Sequence, residues 1–148
     1  MARYVTTVES SLPAGEAFDL VANFASITDW DPGISHAERL DEGPLRVGSA
    51  FRLTSVFGPR RIPLTYVVRE LIPGERIVLD AVTADFTSHD IITVGETAEG
   101  SRLTYDATLT LHGYRRVADP LLGLAFQVIG RRADAGLRDV LNPVPVAA

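Results

Sequence analysis

Residues 88–90 read Ser-His-Asp, the three side chains of a nucleophilic hydrolase triad standing side by side. They fall in a stretch of β-forming residues, where neighbouring side chains point to opposite faces. Ser88 and Asp90 therefore share one face while His89 turns to the other, and a triad needs all three to converge. Asp29 and Asp31 have the spacing of a D-x-D metal pair. A helix end and the start of a turn account for them without a metal, and two carboxylates are too few to hold one. His36, His89 and His112 stand on separate predicted strands without ligand spacing, so no metal is expected. The chain has no cysteine, and its 14 basic residues are all arginine. Thiol nucleophiles, zinc-thiolate sites, Schiff bases and P-loop chemistry are thereby excluded.

Acid/base chemistry survives this pruning. Along 102–112, Leu103, Tyr105, Ala107, Leu109 and Leu111 alternate with Thr104, Asp106, Thr108, Thr110 and His112, the pattern of a half-buried strand. With the preceding strand in ordinary phase, Phe86, Ser88, Asp90, Ile92 and Val94 face the same interior as Tyr105. Asp90 is then a carboxylate among apolar side chains, with a raised pKa unless it is paired. Such a group could serve as a proton acceptor in enolisation. Trp30, the only tryptophan, sits between Asp29 and Asp31 just before Pro32-Gly33. A tryptophan in a turn is either a lid on the core or the wall of a pocket.

The elements that must position these residues follow from period and punctuation. Residues 3–9 are rich in β-branched side chains and read as a strand. Behind Pro13, Ala17, Phe18, Val21 and Phe24 fall at helical spacing, Asn23 breaks the pattern, and 24–29 forms a second short helix. Strands are then expected at 35–41, 47–57, 61–71, 75–83, 86–95 and 102–112. Their connections are short enough for an antiparallel meander. Asp119 and Pro120 open a long helix. Its stripe is Leu122, Phe126, Ile129, Ala133, Leu137 and Val140, widened in the first half by Leu121, Leu124, Ala125 and Val128. Gly123, Gly130 and Gly136 interrupt it, either for close packing on the sheet or to leave room for something else. A helix laid across a strongly bent sheet cannot fill it with side chains alone, so a cavity is expected between the two.

Length, charge and hydropathy narrow the partners. The 148 residues suit one domain, 1–148. A net charge of −5 disfavours nucleic acid, and Arg60-Arg61, Arg115-Arg116 and Arg131-Arg132 are isolated pairs rather than a stripe. MARYVTTVESS has no apolar core of a signal peptide, and the longest apolar run, 121–130, is about half the ~20 residues of a membrane span. A cytoplasmic protein without stable membrane insertion is expected, with its oligomeric state open.

The element order, "DLVANFASITDWDPGI" after the first strand, "VVRELIPGERIVL" at 67–79 and "GSRLTY" at 100–105 resemble the SRPBCC superfamily, in its polyketide cyclase/dehydrase-like branch. That resemblance implies an α+β helix-grip fold, a curved seven-stranded antiparallel sheet wrapped around a long C-terminal helix with two short helices after strand 1. It places Trp30 and Ile34 at the cavity wall, Arg69 projecting inward near the end of its strand, Tyr105 on the last strand, and Phe126 and Ile129 on the inner face of the helix. Tyr66 has the opposite parity to Arg69, so a regular strand sends only one of them inward, and the resemblance favours Arg69. With Asp90 as its partner, Arg69 would polarise a ligand carbonyl during cyclisation or dehydration, and Phe86 and Ile92 would complete the wall; the alternative is that a strand irregularity turns Asp90 to solvent and Arg69 makes a surface ion pair. The implied function is binding of a hydrophobic small molecule, polyketide- or lipid-like, with no cofactor. Acid/base catalysis, a lipid or isoprenoid carrier or sensor, and a protein-interaction module without a ligand stand as alternatives.

Overall fold

Tight turns set the topology. In the computed structural model, which describes residues 1–113 and 119–142 with the side chains of residues 119 and 122 excepted, Pro73-Gly74 closes one turn with Gly74 at φ 78°. The Glu75 N–H donates to Ile72 O at 3.0 Å, and a Cβ at that φ would be strained. Turns of this kind, with a longer loop between the first two, fold β2 (Ile34–Arg39), β3 (Ala50–Phe57), β4 (Arg60–Ile72), β5 (Arg76–Val82), β6 (Phe86–Thr97) and β7 (Gly100–Leu111) into a meander. β1 (Ala2–Ser10) closes the far edge by pairing with β7, giving an antiparallel sheet in the order β1-β7-β6-β5-β4-β3-β2. This is the expected seven-stranded helix-grip architecture, with boundaries within about three residues of the expected ones.

β3 starts three residues late because the loop before it has its own anchor. The Asp41 carboxylate accepts from the Arg39 guanidinium, from Ser49 Oγ at 3.0 Å and from the Ala50 N–H at 3.0 Å. The hydrogen bond from Arg39, then that from Ala50, holds this carboxyl well below the usual range.

Helix α1 (Ala14–Ala22) buries Ala17, Phe18, Val21 and Ala22, and packs against β6 and β7 at one end of the sheet. A 3-10 helix (Phe24–Asp29) follows, capped by Asn23, whose Oδ1 accepts from the Ala25 N–H at 3.2 Å. Helix α2 (Asp119–Leu141) runs along β1. Its end is tied down by Ser10 Oγ donating to Leu141 O at 2.5 Å and by Asn142 Nδ2 donating to Glu9 O at 2.8 Å. Gly130 lies against the Tyr4 ring and Gly136 against the Trp30 carbonyl, so both serve close packing, while nothing crowds Gly123.

The widened stripe of α2 needs correction. Leu121, Leu124 and Val128 are exposed, because only the second half of the helix sits squarely on the sheet, where Leu137 and Leu141 are fully buried. The side chains of Asp119 and of Leu122 in the stripe, and the Arg115-Arg116 pair, lie outside what the structure describes. Among the described residues no helix is long and apolar enough to cross a membrane.

Candidate functional site

Period-2 geometry assembles the site from β4, β6 and β7. On β6 the side chains of Ser88, Asp90, Ile92 and Val94 are buried, while His89 turns outward and bonds Asp80 through Nδ1. Register puts Ser88 opposite Leu109, Asp90 opposite Ala107 and Ile92 opposite Tyr105. Tyr105 thus lies diagonal to Asp90, within reach of a long side chain. Its hydroxyl donates to Asp90 Oδ2 at 2.5 Å. On β4, Tyr66 pairs with Ala81 of β5, and Ala81 pairs with Ser88 of β6. The methyl of Ala81 is too small to separate its neighbours, so Tyr66 Oη and Ser88 Oγ meet at 2.7 Å. Ser88 Oγ then donates to Asp90 Oδ1 at 3.3 Å. The result is one chain of hydroxyls, Tyr66 to Ser88 to Asp90, met from the other side by Tyr105.

Burial dominates the electrostatics of this network. Removing Asp90 from water raises its pKa from 3.8 to about 7, against the lowering effect of the Tyr105 and Ser88 hydrogen bonds. Burial, then the nearby Asp90 charge, pushes the Tyr66 and Tyr105 hydroxyls well above their ordinary range. Both tyrosines therefore remain donors while Asp90 is poised between acid and base.

Between this network and α2 lies a cavity of about 170 Å³, closed on its apolar sides by Ile34, Leu64, Phe86, Leu109, Phe126 and Ile129. A volume of ~150 Å³ accommodates one benzene ring, so the space suits about one small ring or a short chain. Trp30 closes one wall edge-on to Tyr105, their ring centroids 5.5 Å apart. It is 4% exposed, and its indole N–H meets no acceptor among the described residues. The tryptophan in the turn is both a core residue and a pocket wall.

Two further carboxylates reach the cavity. Asp31 Oδ1 accepts from the Gly33 N–H at 2.9 Å, and burial raises its pKa. Asp134 on α2 accepts from Thr6 Oγ1 at 2.6 Å and from Arg138 Nε at 3.2 Å.

Of the residues singled out in the sequence, Trp30, Ile34, Phe86, Asp90, Tyr105, Phe126 and Ile129 all lie on this cavity. Arg69 does not, which corrects the expected Arg69–Asp90 pair. The pairing of β4 with β5 slips between Val68 and Glu70, leaving Arg69 as the unpaired residue of a bulge. Leu64, Tyr66 and Val68 take the inner face. The Arg69 side chain is 55% exposed, with Nε 3.7 Å from Asp80 Oδ2 on the outer face. Ile92 points inward but lies in the packed core rather than on the cavity. Asp31, Tyr4, Thr6 and Asp134 were not legible as site residues, since turn chemistry or surface position accounted for each. Tyr66, set aside in the sequence in favour of Arg69, lines the cavity, and the apolar Leu64 and Val68 at its own parity are the signal that points to it. Among the described residues no cluster of side chains is arranged to hold a metal ion.

Comparison with known proteins sets this geometry in context. The family described as polyketide cyclase / dehydrase and lipid transport matches residues 1–141. A START superfamily protein from Mycobacterium smegmatis superposes with a TM-score of 0.78 at 14% identity, covering 95% of this chain and 97% of that one. The di-domain ARO/CYC BexL of the BE-7585A biosynthetic pathway gives 0.74 at 17% identity, covering 97% of this chain and 50% of that one. XoxI from Bacillus cereus gives 0.68 at 19% identity, with 95% and 96% covered. No curated protein sequence matches. At these identities the structures speak for the fold, and the family match over nearly the whole chain speaks for descent. The chain belongs to the polyketide cyclase/dehydrase and lipid transport family of the SRPBCC, START-like superfamily.

Proposed function

We propose that the protein binds a hydrophobic small molecule, polyketide- or lipid-like, between the sheet and α2, and that Asp90 serves it as acid and base. The observation that carries this reading is a buried carboxylate, poised near neutrality, on the wall of a mostly apolar cavity. Ionised Asp90 takes a proton from a carbon or hydroxyl beside a ligand carbonyl. Once protonated it no longer needs both of its hydroxyl donors. One of them, from Tyr105 or Ser88, is then free to donate to the oxygen on which charge develops. The electrophilic role first given to Arg69 falls to these hydroxyls, because Arg69 is on the other face of the sheet. Holding the ligand against them supplies the positioning that such a reaction requires. A carrier would use the same contacts and release its ligand unchanged.

The interaction-module reading has one observation in its favour, the exposed ridge of Leu121, Leu124 and Val128 on α2. An NMR titration with 2-naphthol separates the two. Shifts centred on Trp30, Tyr105, Phe126 and Ile129 are expected, saturating with ligand. Shifts confined to the ridge, with the cavity silent, would sink the cavity reading.

A further inference from the structure

Among the described residues the cavity wall is acidic and aromatic, with no cationic side chain. Asp31, Asp90 and Asp134 line it together with Tyr4, Trp30, Tyr66, Phe86, Tyr105 and Phe126. Asp134 has a counter-charge in Arg138, whereas Asp31 and Asp90 form no ion pair among the described residues. Asp31 has the Gly33 amide and Asp90 has two hydroxyls, all of them neutral donors. A buried carboxylate without a cation is costly, and its missing partner is a positive charge. Aromatic faces attract the same charge through their quadrupoles, tryptophan most strongly. The buried indole N–H of Trp30, also without a partner among the described residues, adds a place for one ligand oxygen.

We propose that the ligand of this cavity is a small apolar amine, bound as the ammonium with its charge set between Asp31 and Asp90 and its hydrocarbon body against the aromatic wall. This rests on the cavity being the ligand site, and it names the ligand's charge. Fatty acids and other carboxylates are disfavoured, because a negative charge added beside the buried Asp90 and half-buried Asp31 would meet no cation among the described residues.

Octylamine, octanol and octanoate share one chain and differ in charge, and none absorbs where tryptophan does. Calorimetric titration of the protein near pH 7.5, below micellar concentrations, is expected to rank octylamine first, octanol second and octanoate last. The amine should exceed the carboxylate by at least about tenfold. In Asp31→Asn, whose amide oxygen can still accept from Gly33, that ratio should fall to about threefold or less, and Asp90→Asn should narrow it likewise. Equal affinities, or octanoate ahead, would overturn the amine proposal and leave the cavity as a binding site for neutral or acidic ligands. A preference for amine that both variants preserve would also overturn it, by placing the selecting charge elsewhere. If octanol fails to bind along with the other two, the cavity reading falls and the amine proposal falls with it.

Discussion

Asp90→Asn is expected to gain on the wild type as the pH rises, by about 3 kcal/mol between about pH 5 and pH 8. The folded protein holds the Asp90 proton up to about pH 7, whereas the unfolded chain releases it near 3.8. Below about pH 4 both states are protonated and this group contributes no pH dependence. Between the two values the folded state binds a proton that the unfolded state has lost, so stability falls as pH rises, and the fall levels off above 7. Three pH units at about 1.4 kcal/mol each come to about 4 kcal/mol in total, most of it above pH 5. Asparagine has no proton to release. Its carbonyl can accept from Tyr105 while its amide donates to Ser88, so the network closes with the Ser88 proton turned toward Tyr66. Thermal melts of both proteins across this range check the prediction, and the difference between them cancels the histidines and surface carboxylates. The Tm of the variant minus that of the wild type should rise by about 5–10 °C across this range. A constant separation would mean that Asp90 is solvated in the folded protein, and the acid/base reading would lose its foundation.

Gly136→Ala is expected to lose about 2–3 kcal/mol, although alanine is the better helix former. A Cβ at Gly136 would overlap the carbonyl of Trp30, which is backbone and cannot swing aside. Either α2 or the turn that holds the cavity wall must shift. Gly123 is the internal control, since a Cβ there meets nothing within 4 Å. Gly123→Ala should therefore gain about 1 kcal/mol from helix propensity alone. Urea titrations of the two variants give opposite shifts in midpoint if α2 rests on the Trp30 turn. Two gains would show that it does not.

These cases also mark how far the sequence can be read. Strict alternation along β6 and β7 fixed the faces of Asp90 and Tyr105, because a half-buried strand leaves a period that cannot be misphased by one residue without exposing its core. The same logic holds on β4, where Leu64, Tyr66 and Val68 take the inner face and plain alternation sends Arg69 outward. The resemblance, rather than the period of the strand, had turned Arg69 inward. Asp31 was legible as a turn former, which it is, through Gly33. Its second face, toward the cavity, depends on how the Trp30 turn docks on the sheet. The apolar excess on the first half of α2 read as a buried face, yet Leu121 and Leu124 are exposed at 74% and 71%. Periodicity tells which residues share a helix face, while only the docking of α2 against β1 tells where that face stops being covered.

The central claim is that the space between sheet and α2 receives an apolar ligand, and Trp30 reports on it directly. Decanol, transparent at the excitation wavelength, should shift the Trp30 emission saturably, and Phe126→Arg should weaken that response by at least about tenfold by placing a charged side chain in the cavity. Circular dichroism establishes whether the variant keeps its fold. A saturable shift in the wild type that is lost in the folded variant is the predicted result. An emission that decanol leaves unmoved, or an equal response in Phe126→Arg, would contradict the account.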